Sequence, residues 1–402
     1  MIKTVNSCRL CKSDKTDLIW DFGLSPLANA FKNKEELNKE ELQFPLRYFK
    51  CSECHSVQLK DEVDSDILFK EYLYESPPNL IPHFKELALT TFDYLGLKKD
   101  DLVLDIGSNN GLLLQEYKNL GCAINGVEPA KNIAEKARDK GIPTFNDFFN
   151  KGFGQYLAAE MVFPKLITCT NCFAHLSDLN NFVEGLKISM QDNSYFVFEN
   201  AYLLDTIDNL DFGQCYFEHF YAHSITPLER LFDKHGLELF KVEFNNIQMG
   251  SIRGYVRIKS NRTLIRDLSV QKAAQRERHR GLDDLDIYDK FIKSIYLIRQ
   301  QLLNKLEDIR KENKSISVYA WPAKMTLLNK YFGLEKYIDY VIEESPVKTG
   351  KFCPGTNLEI KNLQYFKDNP TDYCLVGAYN FFEDIVKKND WYKGEFINPL
   401  KA

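Results

Sequence analysis

Two cysteine pairs near the start of the chain have the residue type and spacing of a metal site. Cys8 and Cys11 form one CxxC sequence, and Cys51 and Cys54 form a second. A two-residue spacer lets both thiolates of a pair face one ion, and two pairs complete the tetrahedral sulfur set that zinc prefers. Four sulfur ligands leave no position for water, so the pattern predicts a structural zinc site rather than four unrelated cysteines.

A third CxxC sequence, Cys169–Cys172, lies at the end of a predicted strand with His175 nearby. Such a pair can bind a metal or act as a redox couple. Because no second pair accompanies it, we expect these two cysteines to pack in the interior.

A glycine-containing turn follows a buried strand in the middle of the chain. The segment from Asp105 to Gly111 reads Asp-x-Gly-x-x-x-Gly, in which Gly107 permits a tight turn and close approach of a ligand. Backbone N–H groups at the next helix start can hold a carboxylate, and Glu128, after the next strand, can accept hydrogen bonds from both hydroxyls of a ribose. A glycine loop can also serve NAD or remain without a ligand, but this pattern favours a nucleoside without a pyrophosphate.

Ionisable and hydroxyl side chains are concentrated between Gln214 and Ser224. His219 can titrate near neutral pH and act as a base. Glu218 can orient a neighbour or a substrate hydroxyl, and Tyr216 can donate to a developing oxyanion. On residue types alone, a polar loop is the more common explanation of such a cluster.

These residues need a scaffold of alternating strands and helices. The sequence predicts a helix at 81–95 that ends at Gly96, followed by strands at 102–106, 123–127, 166–169 and 195–198 and by helices at 111–117, 132–140 and 179–190. Such alternation indicates an α/β fold with a mostly parallel, doubly wound sheet.

Three regions follow from these patterns. We expect a zinc-binding module at residues 1–75, a central Rossmann-like domain at 76–260, and a helical connector with a second Rossmann-like α/β domain at 261–402. In the last region a charged helical pattern at 264–313 leads into predicted strands at 315–319, 340–342 and 373–376, with a helix that ends at 331.

Composition limits the partners of the chain. Its 402 residues are 44% hydrophobic and carry a formal net charge of -5, which gives no general attraction to nucleic acid or anionic membranes. No apolar run reaches the roughly 18 residues that span a bilayer, and the first residues lack the apolar core of a signal peptide. We therefore expect a cytoplasmic monomer or weak dimer with no nucleic-acid or membrane partner.

The chain resembles the S-adenosylmethionine-dependent sugar C-methyltransferases, which methylate C-3' of nucleotide-linked 4-keto-6-deoxy sugars. The Asp105–Gly111 turn is similar to that of class I methyltransferases. The wider resemblance extends over nearly the whole chain and includes both CxxC pairs and the segments Tyr72–Ser76, Asn171–His175, Tyr216–His219, Gly250–Arg253, Lys324 and Lys351–Thr356.

This resemblance implies a site for S-adenosylmethionine in the central domain. The methionine moiety would lie over Gly107 and the ribose on Glu128, and the adenine would lie near Asp147, Phe148 and Phe149. The other donor-site residues that the resemblance implies are Asp105, Ser108, Asn109, Gly111, Pro129 and Asn171.

The resemblance also implies the roles of the acceptor side. His219 matches the active-site base, while Tyr216, Glu218 and His175 match other active-site groups, and a tyrosine ahead of the donor domain completes the set. Tyr74 is our choice for that tyrosine, with Tyr72 as the alternative. A ketone acidifies the neighbouring C–H group, so the implied chemistry is proton removal by the base and methylation of the enolate carbon.

Two segments depart from the family pattern. Family members often carry His-Gly-Gly-Ser before the arginine that Arg253 matches, where this chain has Gln248–Ser251. A loop that is usually rich in Gly and Ala contains Trp321 and Pro322 here. These departures leave open the nucleotide, the sugar and the carbon that is methylated.

Two other functions fit the same residues. An O- or N-methyltransferase would use the same donor site without removing a proton from carbon. A zinc-ribbon binding module with a degenerate methyltransferase domain would need a basic surface for nucleic acid, but only Arg9, Lys12, Arg47 and Lys50 lie beside the cysteine pairs.

Overall fold

The computed structural model describes residues 2–68 and 75–401, so Tyr72 and Tyr74 lie outside the described residues. The N-terminal region contains β1 (Ile2–Thr4), β2 (Thr16–Pro26), β3 (Gln43–Cys51), β4 (Val57–Leu59), β5 (Asp61–Val63) and α1 (Ser65–Leu68). Strands β2, β3 and β4 form an antiparallel sheet, and β1 pairs with β5. Sequence patterns predicted none of these strands.

The central region contains most of the predicted elements. Its elements are α2 (Ile81–Leu95), β6 (Leu102–Ile106), α3 (Leu112–Asn119), β7 (Ala123–Val127), α4 (Lys131–Asp139), β8 (Thr144–Phe145), α5 (Lys151–Ala159), β9 (Leu166–Thr170), α6 (Leu179–Ser189), β10 (Tyr195–Ala201), α7 (Leu203–Asp208), β11 (Tyr221–Ala222), α8 (Ile225–Lys234), β12 (Leu237–Asn245) and β13 (Ser251–Ile258). Gly96 ends α2 in the left-handed conformation, as predicted.

The central sheet has seven strands in the order β12-β13-β10-β9-β6-β7-β8. Strands β6 to β10 are parallel, and β13 is antiparallel to both of its neighbours. The predicted α/β fold with a mostly parallel sheet is therefore confirmed. The carboxyl ends of β6, β7 and β9 meet at one edge, where open α/β sheets bind ligands.

The C-terminal region starts with two long helices. Its elements are α9 (Leu268–His279), α10 (Asp286–Lys311), β14 (Ile316–Tyr319), α11 (Ala323–Phe332), β15 (Tyr340–Ile342), β16 (Ile360–Lys361), α12 (Leu363–Asp368), β17 (Tyr373–Val376), α13 (Phe382–Lys388) and β18 (Glu395–Ile397). The five strands form an all-parallel sheet in the order β16-β15-β14-β17-β18, which confirms a second Rossmann-like domain.

The three regions share one continuous hydrophobic core. Trp20 of β2 packs against Phe291 and Tyr288 of α10, with ring centroids 4.9 and 5.8 Å apart. Phe212, which follows α7, stacks on Phe332 of α11. None of the helices in the described part of the chain is long and apolar enough to span a bilayer.

Candidate functional site

The four N-terminal cysteines converge as their spacing predicted. Their sulfur atoms all lie within 4.8 Å of one another, and Cys8 Sγ is 3.5 Å from Cys54 Sγ. The two knuckles have the same backbone, because Lys12 N–H donates to the carbonyl of Cys8 as His55 N–H donates to that of Cys51, and both donor residues have positive φ. The residues fit a tetrahedral zinc ion at about 2.3 Å from each sulfur.

The surroundings of the four cysteines favour a thiolate at Cys8, whereas burial raises the pKa of Cys11 and the hydrogen bond with Cys8 raises that of Cys54. Gln58 Nε2 donates to Cys8 Sγ at 3.0 Å, and the hydrogen bond with Cys54 lowers the pKa of Cys8 to about 5. A thiolate is the form that binds a metal, so Cys8 is the sulfur that its protein surroundings alone favour in the metal-binding form.

A cavity of about 730 Å³ opens at the carboxyl ends of β6, β7 and β9. We call it the donor cavity. Of the predicted donor residues, those that line it are Asp105, Gly107, Ser108, Asn109, Glu128, Pro129, Phe148, Phe149 and Asn171. His175 and Ser76 line it as well, and Ser76 was missed because it lies far from the glycine turn in sequence.

The turn after β6 requires glycine at residue 107. Gly107 has φ of +68°, and a Cβ atom there would lie 2.6 Å from Cys172 Sγ. Its N–H donates to the carbonyl of Val127 at 2.8 Å, which ties the turn to the end of β7. The backbone is thus exposed to the cavity without a side chain in between.

Two buried carboxyl groups lie at this edge of the sheet. Glu128 accepts hydrogen bonds from the N–H groups of Asn109 (3.0 Å) and Ala130 (2.9 Å), which fix its orientation, while burial raises its pKa. Asp105 accepts from Thr168 Oγ1 at 2.7 Å, and burial raises its pKa to about 7. Asp105 therefore braces β6 against β9, and Glu128 is the carboxylate suited to a ribose.

The buried hydroxyl of Ser108 indicates what kind of ligand fits the donor cavity. Its Oγ is buried and has no hydrogen-bond partner among the described residues. A Cβ on Gly126 would lie 2.4 Å from that oxygen, so the glycine in β7 makes room for it. A buried hydroxyl without a partner is costly unless a ligand or water bonds to it, so these residues fit the polar part of S-adenosylmethionine.

Two predicted donor-site residues and the third CxxC pair lie differently from the rest. Asp147 lines a neighbouring cavity of about 470 Å³, which shares Phe148 with the donor cavity. Gly111 has φ of +81° and packs its backbone against Ile142, where a Cβ would come within 2.9 Å. Both cysteines of the third CxxC sequence were expected to pack in the interior: Cys169 is fully buried in β9, as expected, whereas Cys172 is only partly buried and lines the donor cavity.

The predicted acceptor-side residues come together around one imidazole. The ring of His219 lies 4.1 Å from that of Tyr216 and 4.8 Å from that of His175, measured between centroids. We call these three residues and Glu218 the His219 cluster. Since His175 also lines the donor cavity, it links the two.

A backbone carbonyl fixes the tautomer of the base candidate. His219 Nδ1 lies 2.8 Å from the carbonyl oxygen of Gln214. A carbonyl can only accept, so Nδ1 carries the proton and Nε2 holds the lone pair. Burial, together with nearby His175, holds the pKa of His219 well below its usual value, and burial lowers the pKa of His175 to about 4. Both rings are neutral at pH 7.

Glu218 has a partner that the sequence did not indicate. Asn29 Nδ2 donates to Glu218 Oε1 at 2.7 Å, across 189 positions of sequence. Burial raises the pKa of Glu218 to about 7, while the bond from Asn29 opposes that rise. No short-range pattern marks Asn29, because its role depends on where the N-terminal sheet lies.

The N-terminal sheet holds the loop that carries His219. Strand β11 pairs with β4, so it forms the fourth strand of that sheet. The hydroxyl group of Tyr48 in β3 donates to two backbone carbonyls. Its oxygen lies 2.8 Å from the carbonyl oxygen of His219 and 3.1 Å from that of Tyr216. Leu59 N–H donates to the carbonyl of Phe220 at 2.9 Å. The sheet that carries the cysteine pairs thus also supports the loop of the His219 cluster.

The two segments that depart from the family pattern contain buried side chains with hydrogen-bond partners inside the protein. Trp321 is fully buried, and its Nε1 donates to Thr326 Oγ1 at 3.0 Å. In the other segment, Gln248–Ser251, Ser251 is fully buried, and its Oγ donates to the carbonyl of Ile247 at 2.8 Å. Both side chains therefore form their hydrogen bonds within the protein.

Three family models follow one another along the chain. A model described as "Putative zinc binding domain" matches residues 8–69, a methyltransferase domain matches 56–242, and a C-methyltransferase C-terminal domain matches 246–400.

One relative is similar over its whole length. C-methyltransferase NovU of Streptomyces niveus is 27% identical over 406 residues, which cover 100% of this chain and 96% of the relative. The plantazolicin methyltransferase BpumL with SAH matches with a TM-score of 0.36 and 14% identity over 45% of this chain and 86% of its own. Magnesium protoporphyrin IX methyltransferase of Synechocystis PCC 6803 with bound SAM matches with a TM-score of 0.34 and 11% identity over 47% and 89%. Structural likeness at this level carries no argument.

Proposed function

We propose that the chain is an S-adenosylmethionine-dependent C-methyltransferase with an N-terminal zinc-binding module, and that it methylates a carbon atom of a nucleotide-linked keto-deoxy sugar. C-methylation is the activity in the name of its relative NovU. The sugar substrate and the base are the parts that we add to this assignment.

One observation carries the proposal. His219, a neutral base candidate with its lone pair on Nε2, touches His175, and His175 lines the donor cavity. C-methylation needs a base for a carbon acid within reach of the methyl donor, whereas methylation of an amine or of an acidic hydroxyl has less need of one. The arrangement therefore favours a carbon acceptor.

Each residue of the His219 cluster has a part in the proposed reaction. His219 Nε2 removes the proton beside the ketone, which leaves an enolate. Tyr216 and neutral His175 can donate to the enolate oxygen, as preorganised donors do in other enzymes. Glu218 orients a substrate hydroxyl. Tyr72 or Tyr74 completes the set in this proposal.

The donor cavity holds the second reactant. Glu128 would accept from the ribose, the backbone at Gly107 would contact the methionine moiety, and Phe148 and Phe149 would flank the adenine, with Asp147 beside it. S-adenosylmethionine, when bound, supplies an electrophilic methyl group. Holding both reactants in one orientation contributes to the rate beyond the effect of the base.

A panel of nucleotide-ketosugars tests the proposal. Purified protein with S-adenosylmethionine should raise the product mass by one methyl group for a keto-deoxy sugar. In deuterated solvent, with the sugar alone, wild-type protein should exchange the proton beside the ketone, and His219→Asn should not. A methyl group on oxygen or nitrogen, or rapid turnover by His219→Asn, would favour an O- or N-methyltransferase.

A further inference from the structure

A buried carboxylate that the proposed reaction does not use lies beside the loop of the base. Asp211 is 1% exposed and immediately precedes the short turn Phe212–Gln214. Tyr379 Oη donates to Asp211 Oδ1 at 2.5 Å, and Lys324 Nζ lies 3.4 Å from Asp211 Oδ2. Both partners belong to the C-terminal domain, so this contact joins two domains.

The same carboxylate is bonded to the residue that orients His219. Gln214 Nε2 donates to Asp211 Oδ2 at 3.0 Å, and Gln214 N–H donates to the backbone carbonyl of Asp211 at 3.1 Å. The carbonyl of Gln214 is the group that accepts from His219 Nδ1. A continuous chain of hydrogen bonds therefore runs from Tyr379 to the imidazole.

The turn is shaped to admit the C-terminal domain. A Cβ on Gly213 would lie 2.3 Å from Tyr379 Oη and 2.6 Å from Lys324 Cβ. A glycine is therefore required for the two domains to meet at this distance. Lys324 is also close enough to His219 to lower the pKa of that imidazole.

We propose that Asp211, Tyr379 and Lys324 form a positioning cluster by which the C-terminal domain fixes the Gln214 carbonyl and, through it, the protonated nitrogen of His219. This inference rests on the proposed function, because it assigns the cluster to the base of that reaction. The C-terminal domain then contributes to proton removal without touching the methyl donor. Its residues act through Gln214 and are not catalytic residues themselves.

The tautomer of His219 is the readout that a purely structural role would not change. Imidazole ¹⁵N chemical shifts of histidine-labelled protein distinguish Nδ1–H from Nε2–H, and the difference spectrum with His219→Asn assigns the ring. In wild-type protein we expect Nδ1–H. In Asp211→Asn we expect a mixture of tautomers and a fall of about tenfold or more in kcat, since a charge-assisted hydrogen bond is lost, with donor affinity unchanged.

Tyr379→Phe covers the case in which Asp211→Asn does not fold. It removes one hydroxyl from the cluster and should lower kcat several-fold with the same spectral change. Tyr288→Phe is the matched control, because the hydroxyl of Tyr288 is buried and donates to the carbonyl of Leu282 at 2.8 Å, away from Gln214. It should leave the spectrum and kcat unchanged.

The outcomes separate this inference from the proposed function. If folded Asp211→Asn and Tyr379→Phe keep the Nδ1–H spectrum and wild-type kcat while His219→Asn is inactive, the positioning cluster is wrong and the base stands. If His219→Asn retains turnover, the proposed function itself fails, and the cluster has no base to position.

Discussion

The donor cavity takes its two buried carboxyl groups, Asp105 and Glu128, from neighbouring strand ends of a single sheet, whereas the His219 cluster takes its supports from three regions of the chain. Asp105 lies in β6 near its carboxyl end and Glu128 directly follows β7, and their hydrogen-bond partners lie at the same edge. His219 is held through Tyr48 of the N-terminal sheet, Glu218 through Asn29, and Gln214 lies beside the C-terminal domain. The carboxyl pair of the donor cavity is local to one sheet, whereas the supports of the His219 cluster come together only when all three regions pack.

Replacement of the proposed base, His219, should have the largest effect on the rate of methyl transfer. His219→Asn should lower methyl transfer by about 10²–10⁴-fold, the usual contribution of a positioned base, because asparagine cannot take up the proton. Donor affinity, measured by calorimetry, should be unchanged, since His219 does not line the donor cavity. A loss of donor binding that parallels the loss of turnover would break the division between the two sites.

Gly107→Ala should have the opposite pattern. A left-handed conformation costs an alanine about 1–2 kcal/mol, and its Cβ would also collide with Cys172 Sγ at 2.6 Å. We expect S-adenosylmethionine to bind about 10-fold more weakly or worse, while solvent exchange of the sugar proton continues in the absence of donor. Gly96→Ala is the matched control, because φ there is +63° and a Cβ meets nothing within 4 Å. Equal donor affinities in the two variants would contradict the role of Gly107.

The pH dependence should follow Glu218 rather than His219. His219 is neutral across the neutral range because its pKa is depressed, so kcat/KM should rise as pH increases through about 7, where Glu218 ionises. One pH unit below that midpoint, kcat/KM should be about tenfold lower than its plateau at high pH. Glu218→Gln should abolish this pH dependence.

Asn29→Ala tests the cause of that midpoint. Its amide stabilises the ionised form of Glu218, so its loss should move the midpoint of the kcat/KM profile to higher pH. Asn29→Asp would place a second carboxylate there and should move it further. An unchanged profile in both variants would show that the N-terminal module does not tune the site.

Tyr48→Phe should have the smallest effect of the series. It removes the hydroxyl that donates to the carbonyls of His219 and Tyr216, at a cost of about 1 kcal/mol, which corresponds to about fivefold in kcat. Zinc content, measured by metal analysis, should stay at the wild-type level. A fall in zinc content with unchanged kcat would mean that Tyr48 serves the metal module and not the base.

Local sequence patterns were sufficient to predict those elements whose structure depends on a single segment of the chain. The strands at 102–106, 123–127, 340–342 and 373–376 have the predicted limits, because buried parallel strands are short apolar runs between turns. The two CxxC pairs converge as expected. The spacing within each turn lets both sulfurs of a pair face one ion. The strands of the N-terminal sheet escaped prediction although β2 and β3 have 11 and 9 residues, because the sheet also takes up β11 from far away in sequence.

By itself the sequence determined the residue types for zinc, for a nucleoside and for a base, together with the strand–turn–helix units that carry the first two. Only the tertiary structure decided which nitrogen of His219 holds the proton, which group meets Glu218, and that Asp211 lies between two domains. The physical reason is distance along the chain. A hydrogen bond such as that from Asn29 to Glu218 joins residues 189 positions apart, and it forms only after the sheets that carry them have packed.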